Sequence, residues 1–92
     1  MTEPRMEEIG RVEGFFAKPS VAIVELRAAL TVGEMIYLKG HTTDFQQLVE
    51  SIHIDHQPVQ HAQAGQSVGL KVKERCRTHD LVYRLLTEQA AP

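Results

Sequence analysis

Short runs of alternating apolar and polar residues, each cut off by glycine, proline or a polar turn, restrict the fold of this chain more than any other feature. Val21–Leu26 puts Ala22, Val24 and Leu26 on one face with Glu25 opposite, and Met35–Lys39 puts Ile36 and Leu38 inward with Tyr37 and Lys39 outward. Val68, Leu70 and Val72 share a face in SVGLKV. A repeat of two places successive side chains on opposite faces of an extended strand, and the β-branched residues in these runs suit a strand better than a helix. No stretch carries an apolar stripe at helical spacing. Further strands are expected over Ile9–Ala17, Phe45–Asp55 and Leu81–Leu86, bounded by turn residues.

Glycine and proline set the local geometry between and within these strands. Gly10 and Gly14 mark bends in the first strand, and Gly69 marks curvature or close approach in its own. Turns centred on Gly33 and Gly65 favour positive φ. Pro58 is expected to end the strand that begins at Phe45. In that strand Val49 lies on one parity and Ile52 and Ile54 on the other, so a β-bulge is expected near Glu50–Ser51. Several short antiparallel strands in 92 residues are best accommodated by closing the sheet on itself, which removes exposed edges. The expected fold is therefore all-β, a small closed antiparallel β-barrel over residues 9–86, with a flexible N-terminal segment at 1–8 and a flexible C-terminal tail at 87–92.

Composition narrows the classes of function. Apolar residues make up 42% and charged residues 24%, which argues for a folded domain. Cys76 is the single cysteine, so no internal disulfide forms, which fits a reducing compartment. No run approaches the roughly 20 apolar residues needed to cross a bilayer. The N-terminus carries Glu3, Glu7 and Glu8 where a secretory signal would have an apolar core. A soluble, cytoplasmic protein without a membrane partner is expected. A net charge of −2 exerts no global pull toward nucleic acid, so any such contact needs a local patch.

Several motifs recur in a fixed order: Val32-Gly33-Glu34 leading into a strand, the GHTTDF hairpin, the paired Ile52 and Ile54, the Ala64-Gly65 to Gly69-Leu70 turn and strand, and Asp80-Leu81-Val82 opening the last strand. This set resembles the second domain of translational GTPases such as elongation factor Tu. GHTTDF and AQAGQSVGLKV are more similar still to stand-alone elongation-factor-like proteins, and to the C-terminal domain of some collagenase-like peptidases. The resemblance spans about Ile9 to Leu86 and implies a β-barrel of the translation-factor domain II type, working with RNA or a translation-related protein. The chain has no G-x-x-x-x-G-K-(S/T) phosphate loop, so nucleotide hydrolysis is excluded and no nucleotide or other cofactor is expected.

Four groups of residues are candidates for chemistry. Lys71, Lys73, Arg75 and Arg77 alternate in KVKERCR, so an extended segment would line them along one side as a basic ridge, with Lys39 or Arg84 nearby, able to follow a phosphate backbone. No aromatic residue interleaves with them, so base stacking is not indicated. His41, Thr42 and Thr43 sit at a hairpin tip, where they satisfy local backbone groups or meet a partner. His53, Asp55, His56 and His61 are metal-ligating residue types, but His53 and Asp55 share a strand face while His56 points to the other. Solvent-facing positions explain them as well. Cys76 has basic neighbours that would lower its thiol pKa, with His79 three residues on, yet no orienting pocket is evident. Phe15 and Phe16 take opposite faces, so one of them could join Tyr37 or Tyr83 in a contact patch. Taken with what the resemblance implies, the basic ridge and the lack of an assembled active site point to a non-catalytic binding module contacting tRNA, rRNA or a translation or RNA-modification protein. The alternative is a protein-interaction subunit supplying in trans the domain that some collagenase-like peptidases carry in cis.

Overall fold

The structure is a computed structural model that describes residues 5–86. Ten short strands follow one another with no helix among the described residues: β1 (Arg5–Phe16), β2 (Val21–Leu26), β3 (Leu30–Thr31), β4 (Met35–Lys39), β5 (Asp44–Leu48), β6 (Ile52–Ile54), β7 (Gln57–Val59), β8 (His61–Ala62), β9 (Ser67–Lys71) and β10 (Leu81–Leu86). Eight form one sheet in the order β5-β4-β10-β1-β2-β9-β6-β7, and β3 pairs with β8 apart from it. Every pairing is antiparallel, and the first strand meets the last, with Arg5 opposite Leu86.

Alternation decides which face is buried. Ala22, Val24 and Leu26 of β2, Ile36 and Leu38 of β4, and Val68 and Leu70 of β9 all point into one core, joined by Ile9, Val12, Leu30, Ile52, Val72 and Val82. Burying such side chains is the main favourable term in folding a small domain. The turn into β4 shows how Val32-Gly33-Glu34 works. Gly33 takes a φ of 101°, its N–H donates to the Val49 carbonyl at 2.9 Å, and the Glu34 carboxylate accepts from Thr31 N at 2.9 Å. Gly65, with a φ of 92°, likewise donates from its N–H to the Leu26 carbonyl at 2.8 Å. Both glycines adopt the positive φ expected of them.

The strand bounds depart from expectation in places. β1 begins at Arg5, so residues 5–8, expected in the flexible segment, pair with β10; residues 1–4 and the 87–92 tail lie outside the described residues. The long strand over Phe45–Asp55 is two strands at distant places in the sheet, β5 beside β4 and β6 beside β9. The parity change at Glu50–Ser51 therefore marks a departure from the sheet, where Val49 N–H donates to the Glu34 carbonyl at 2.9 Å, and not a bulge. The register shifts of β1 fall at Glu8/Gly10 and Val12/Gly14, beside the two glycines expected to bend it. A Cβ on Gly10 would stand 2.8 Å from the Glu25 carbonyl oxygen, so a side chain has no room at this crossing. Pro58 does not end a strand but sits within β7, the last strand of the sheet, where its missing N–H costs no ladder bond.

The all-β antiparallel expectation agrees with the structure, but closure into a barrel is not established. The ladder ends at β5 on one side and β7 on the other, and no strand pairing joins them among the described residues. Instead, a single side chain carries the β5 edge to the end of β9. The Gln47 amide donates from Nε2 to the Lys71 carbonyl at 2.9 Å and accepts at Oε1 from Lys73 N at 2.8 Å. This is the donor and acceptor that one residue of a parallel neighbouring strand would present.

Candidate functional site

The basic residues gather at one end of the sheet. Lys71, Lys73, Arg75 and Arg77 are all exposed, and none lies within ion-pair distance of a carboxylate among the described residues. They do not form a continuous extended ridge. β9 ends at Lys71 and residues 72–80 turn back, because Val72 and Cys76 both insert into the core. His79 N–H donates to the Val12 carbonyl and Val12 N–H to the Asp80 carbonyl, both at 2.8 Å, which stitches this loop to β1. Lys39 is exposed at the end of β4, next to Gly40, which abuts the Asp80 carboxylate. Arg84, in contrast, lies away from the basic loop. It donates to the Ala29 carbonyl, and its Nη1 stands 3.7 Å from Glu7. Its Nε stands 2.9 Å from the Glu34 carboxylate, close enough for charge attraction although the N–H is not aligned as a hydrogen bond.

At the GHTTDF tip, His41 and Thr42 are exposed, but Thr43 is only 3% exposed and cannot serve as a surface contact. Its carbonyl accepts from Gly40 N at 2.7 Å, so the residue closes the hairpin. Tyr37 donates to the Asp44 carboxylate, and that hydrogen bond is the main reason its phenol pKa is raised. The Tyr37 and Tyr83 rings lie 6.4 Å apart on paired strands, whereas Phe16 is at the other end of β1, so the expected aromatic patch does not assemble. Phe15 packs against the core and Phe16 is 57% exposed.

Of the histidine cluster, His53, Asp55 and His56 stay together, while His61 lies apart on the β3–β8 pair. Asp55 and His56 form the two-residue turn between β6 and β7 with φ of 53° and 65°, the positive values that a tight hairpin connection requires. His61 lies in β8, where its Nδ1 is 3.1 Å from Thr31 Oγ1. Among the described residues, no group of three or more His, Cys, Asp or Glu side chains is placed to hold a metal ion. Cys76 also reverses its expected chemistry. Burial, with Asp80 and then Glu74 adding negative potential, pushes the thiol from its ordinary 9.0 up to about 12. Its cationic sequence neighbours point to solvent while the sulfur points inward.

A feature absent from the sequence-based candidates lies on the outer face. A groove of about 520 Å³ is walled by Phe16, Pro19, Val21 and Ile23 on one side and by His53, Asp55 and His56 on the other, with Ser67, Val68 and Gly69 between them. Strand register explains it. Gly14, Ile23, Gly69 and His53 form one row across four strands, and Phe16, Val21 and Lys71 form the next. A Cβ on Gly69 would meet Val21 Cγ1 at 3.3 Å and Ile23 Cδ1 at 3.8 Å, so the bare glycine is what leaves the trough open. VAIVEL carries the one sequence signal for it, since Val21 and Ile23 are apolar on the parity opposite Ala22 and Val24. A strand apolar on both faces has both faces covered, or one available to a ligand.

Comparison with known proteins follows the collagenase side of the resemblance. The chain is 42% identical over 82 residues, 88% of its length, to an uncharacterized protease of Methanocaldococcus jannaschii, and 35% identical over 78 residues, 83% of its length, to a collagenase of Porphyromonas gingivalis. It spans about a fifth of those relatives, 20% of the first and 22% of the second. Two crystal structures of the C-terminal domain of a Geobacillus thermoleovorans chain named as a U32 peptidase share the fold. Their TM-scores are 0.79 and 0.80 at 24% identity, covering 83% and 88% of this chain and 96% and 93% of theirs. No family model matches the chain. Sequence homology to collagenase-type proteins and the fold of a U32 peptidase C-terminal domain thus coincide in this chain.

Proposed function

We propose that this chain is a non-catalytic protein-binding module that works with a collagenase-like peptidase, presenting its outer wall to the partner. The observation that carries the reading is the 42% identity across 88% of the chain to a protease of which it spans 20%. In this reading the matched fifth is an accessory part of such a protein, and the remaining length does the chemistry. The site geometry supports the same division. The Cys76 thiol is buried and pushed up to about 12, the opposite of an activated nucleophile. The open apolar groove is a binding feature. In this reading the sheet behaves as a small barrel whose seam is closed by Gln47 in place of a ladder.

Affinity purification of the chain from its native host, followed by mass spectrometry, tests the proposal. A stoichiometric peptidase-like protein, retained after a moderate salt wash, is the expected result. Recovery of the chain alone, or with unrelated proteins, overturns it.

Contact with RNA, by itself or in a translation-related complex, is a second reading. It is favoured by the exposed Lys39, Lys71, Lys73, Arg75 and Arg77, none of which has a carboxylate partner among the described residues. Gel-shift titrations against tRNA and ribosomal RNA at several salt concentrations test it. Phosphate contacts require affinity to fall steeply as salt rises, and no shift even at low salt removes this reading.

A further inference from the structure

We propose that the outer-face groove binds an extended acidic segment of a partner protein, seating one aromatic side chain over Gly69. The proposal rests on the protein-binding reading and names the chemistry of what is bound.

The argument begins with the two rows. In the first, Ile23 stands between Gly14 and Gly69, with His53 beyond, so a ridge of one aliphatic side chain is flanked by two positions without a Cβ. Nothing stands within 4 Å of where a Gly14 Cβ would lie. In the second row Phe16, Val21 and Lys71 are in register, and Phe16 remains 57% exposed. The volume of about 520 Å³ takes a few side chains of a peptide and is too small for a folded domain. The flat edge of an aromatic ring fits a trough floored by glycine and walled by Val21, Ile23 and Phe16, where offset or edge-to-face contact with Phe16 adds to area burial.

Charge decides the sign of the occupant. Lys71 ends the second row on the outer face, and Lys18 is exposed in the turn between the lining residues Phe16 and Pro19. Neither pairs with a carboxylate among the described residues. Of the carboxylates on the same face, Glu25 lies 3.9 Å from Arg11, while Glu13, which accepts from the lining residue Ser67 at 3.3 Å, adds negative charge at the end of the groove opposite Phe16. Asp55 is the single carboxylate lining the groove, and His53 and His56 flank it on the same wall. The end of the groove near Phe16 is therefore cationic, and an aromatic residue followed by acidic ones complements it.

Amide chemical shifts of the nitrogen-15-labelled chain, followed by NMR, provide the test. The probe is an acetylated hexapeptide of two phenylalanines followed by four glutamates. Saturable shifts at Ile23, Gly69 and Lys71 are expected. Replacing the phenylalanines by alanine, or the exposed Phe16 by serine (F16S), weakens binding roughly tenfold, as loss of an aromatic anchor does. Replacing the glutamates by lysine, or K71E in the chain, weakens it several-fold and removes its salt dependence. Unchanged spectra away from the groove show that both variants stay folded. No saturable shift, equal binding of the lysine peptide, shifts centred on residues 73–79, or displacement of the peptide from the groove by a uridine hexanucleotide each overturn the proposal. If the chain co-purifies with a peptidase and yet shows no groove shifts, the groove assignment fails and the module stands.

Discussion

Cys76 shows how far a residue's neighbours in sequence can mislead about its neighbours in space. Arg75 and Arg77 flank it and would stabilise a thiolate, yet both face water while the sulfur packs in the core and sees Asp80 and Glu74. Because the folded thiol is raised from 9.0 to about 12, folding favours the protonated form. The associated stability is complete below pH 9 and is lost as pH rises toward 12. Urea midpoints across that window should fall more for the native chain than for C76A, because the substitution removes this thiol and leaves the other side chains in place. Gly40 makes a second case. Its missing side chain leaves room for the buried Asp80 carboxylate, whose Oδ2 accepts from Arg77 N at 2.8 Å and holds the basic loop in place. A Cβ there would overlap that carboxylate, so G40A should cost about 1–3 kcal/mol in a urea melt, as overpacking a closed site does. It should also broaden the amide signals of residues 75–80.

Strands could be read from the sequence wherever one face is buried along their whole length. β2, β4 and β9 fall within a residue of their expected bounds because their parity never changes. The Phe45–Asp55 stretch failed for the same reason. A parity change reads equally as one extra residue in a strand or as the chain leaving the sheet, and only the position of Val49 under the β4 turn separates the two. The short β3–β8 pair leaves no periodic trace, since two residues cannot show a period. At this scale Gln47 is the residue to change. Its amide is the link between the β5 edge and the end of β9 described above, so Q47A deletes both hydrogen bonds of that link, besides one to the Leu48 carbonyl, and exposes the Lys71 carbonyl and Lys73 N–H. A loss of about 1–3 kcal/mol is expected. Hydrogen exchange at Lys73 should speed up while the β1–β10 ladder stays protected.

For the molecule as a whole, the fold class could be read from the sequence and the binding surface could not. The groove draws Phe16 from β1, Val21 and Ile23 from β2, Gly69 from β9 and His53 from β6, so it exists only once the register of four strands is known. The basic end was visible in the sequence because its residues are contiguous, although its shape was not. The register of β1 with β10 has a further consequence. Arg5 lies directly opposite Leu86, so the described chain starts and finishes on adjacent strands in the middle of the sheet. Its order of strands is therefore free to be rewritten. A circular permutant that joins position 86 to position 5 through a short glycine-serine bridge, and opens instead at the exposed Ala64–Gly65 turn, should fold to the same sheet and keep its groove. A near-native amide spectrum would confirm this, and a spectrum collapsed to random-coil shifts would show that the native order of synthesis is needed. A domain with that property can be spliced into a loop of a host protein as readily as it can be carried at one end.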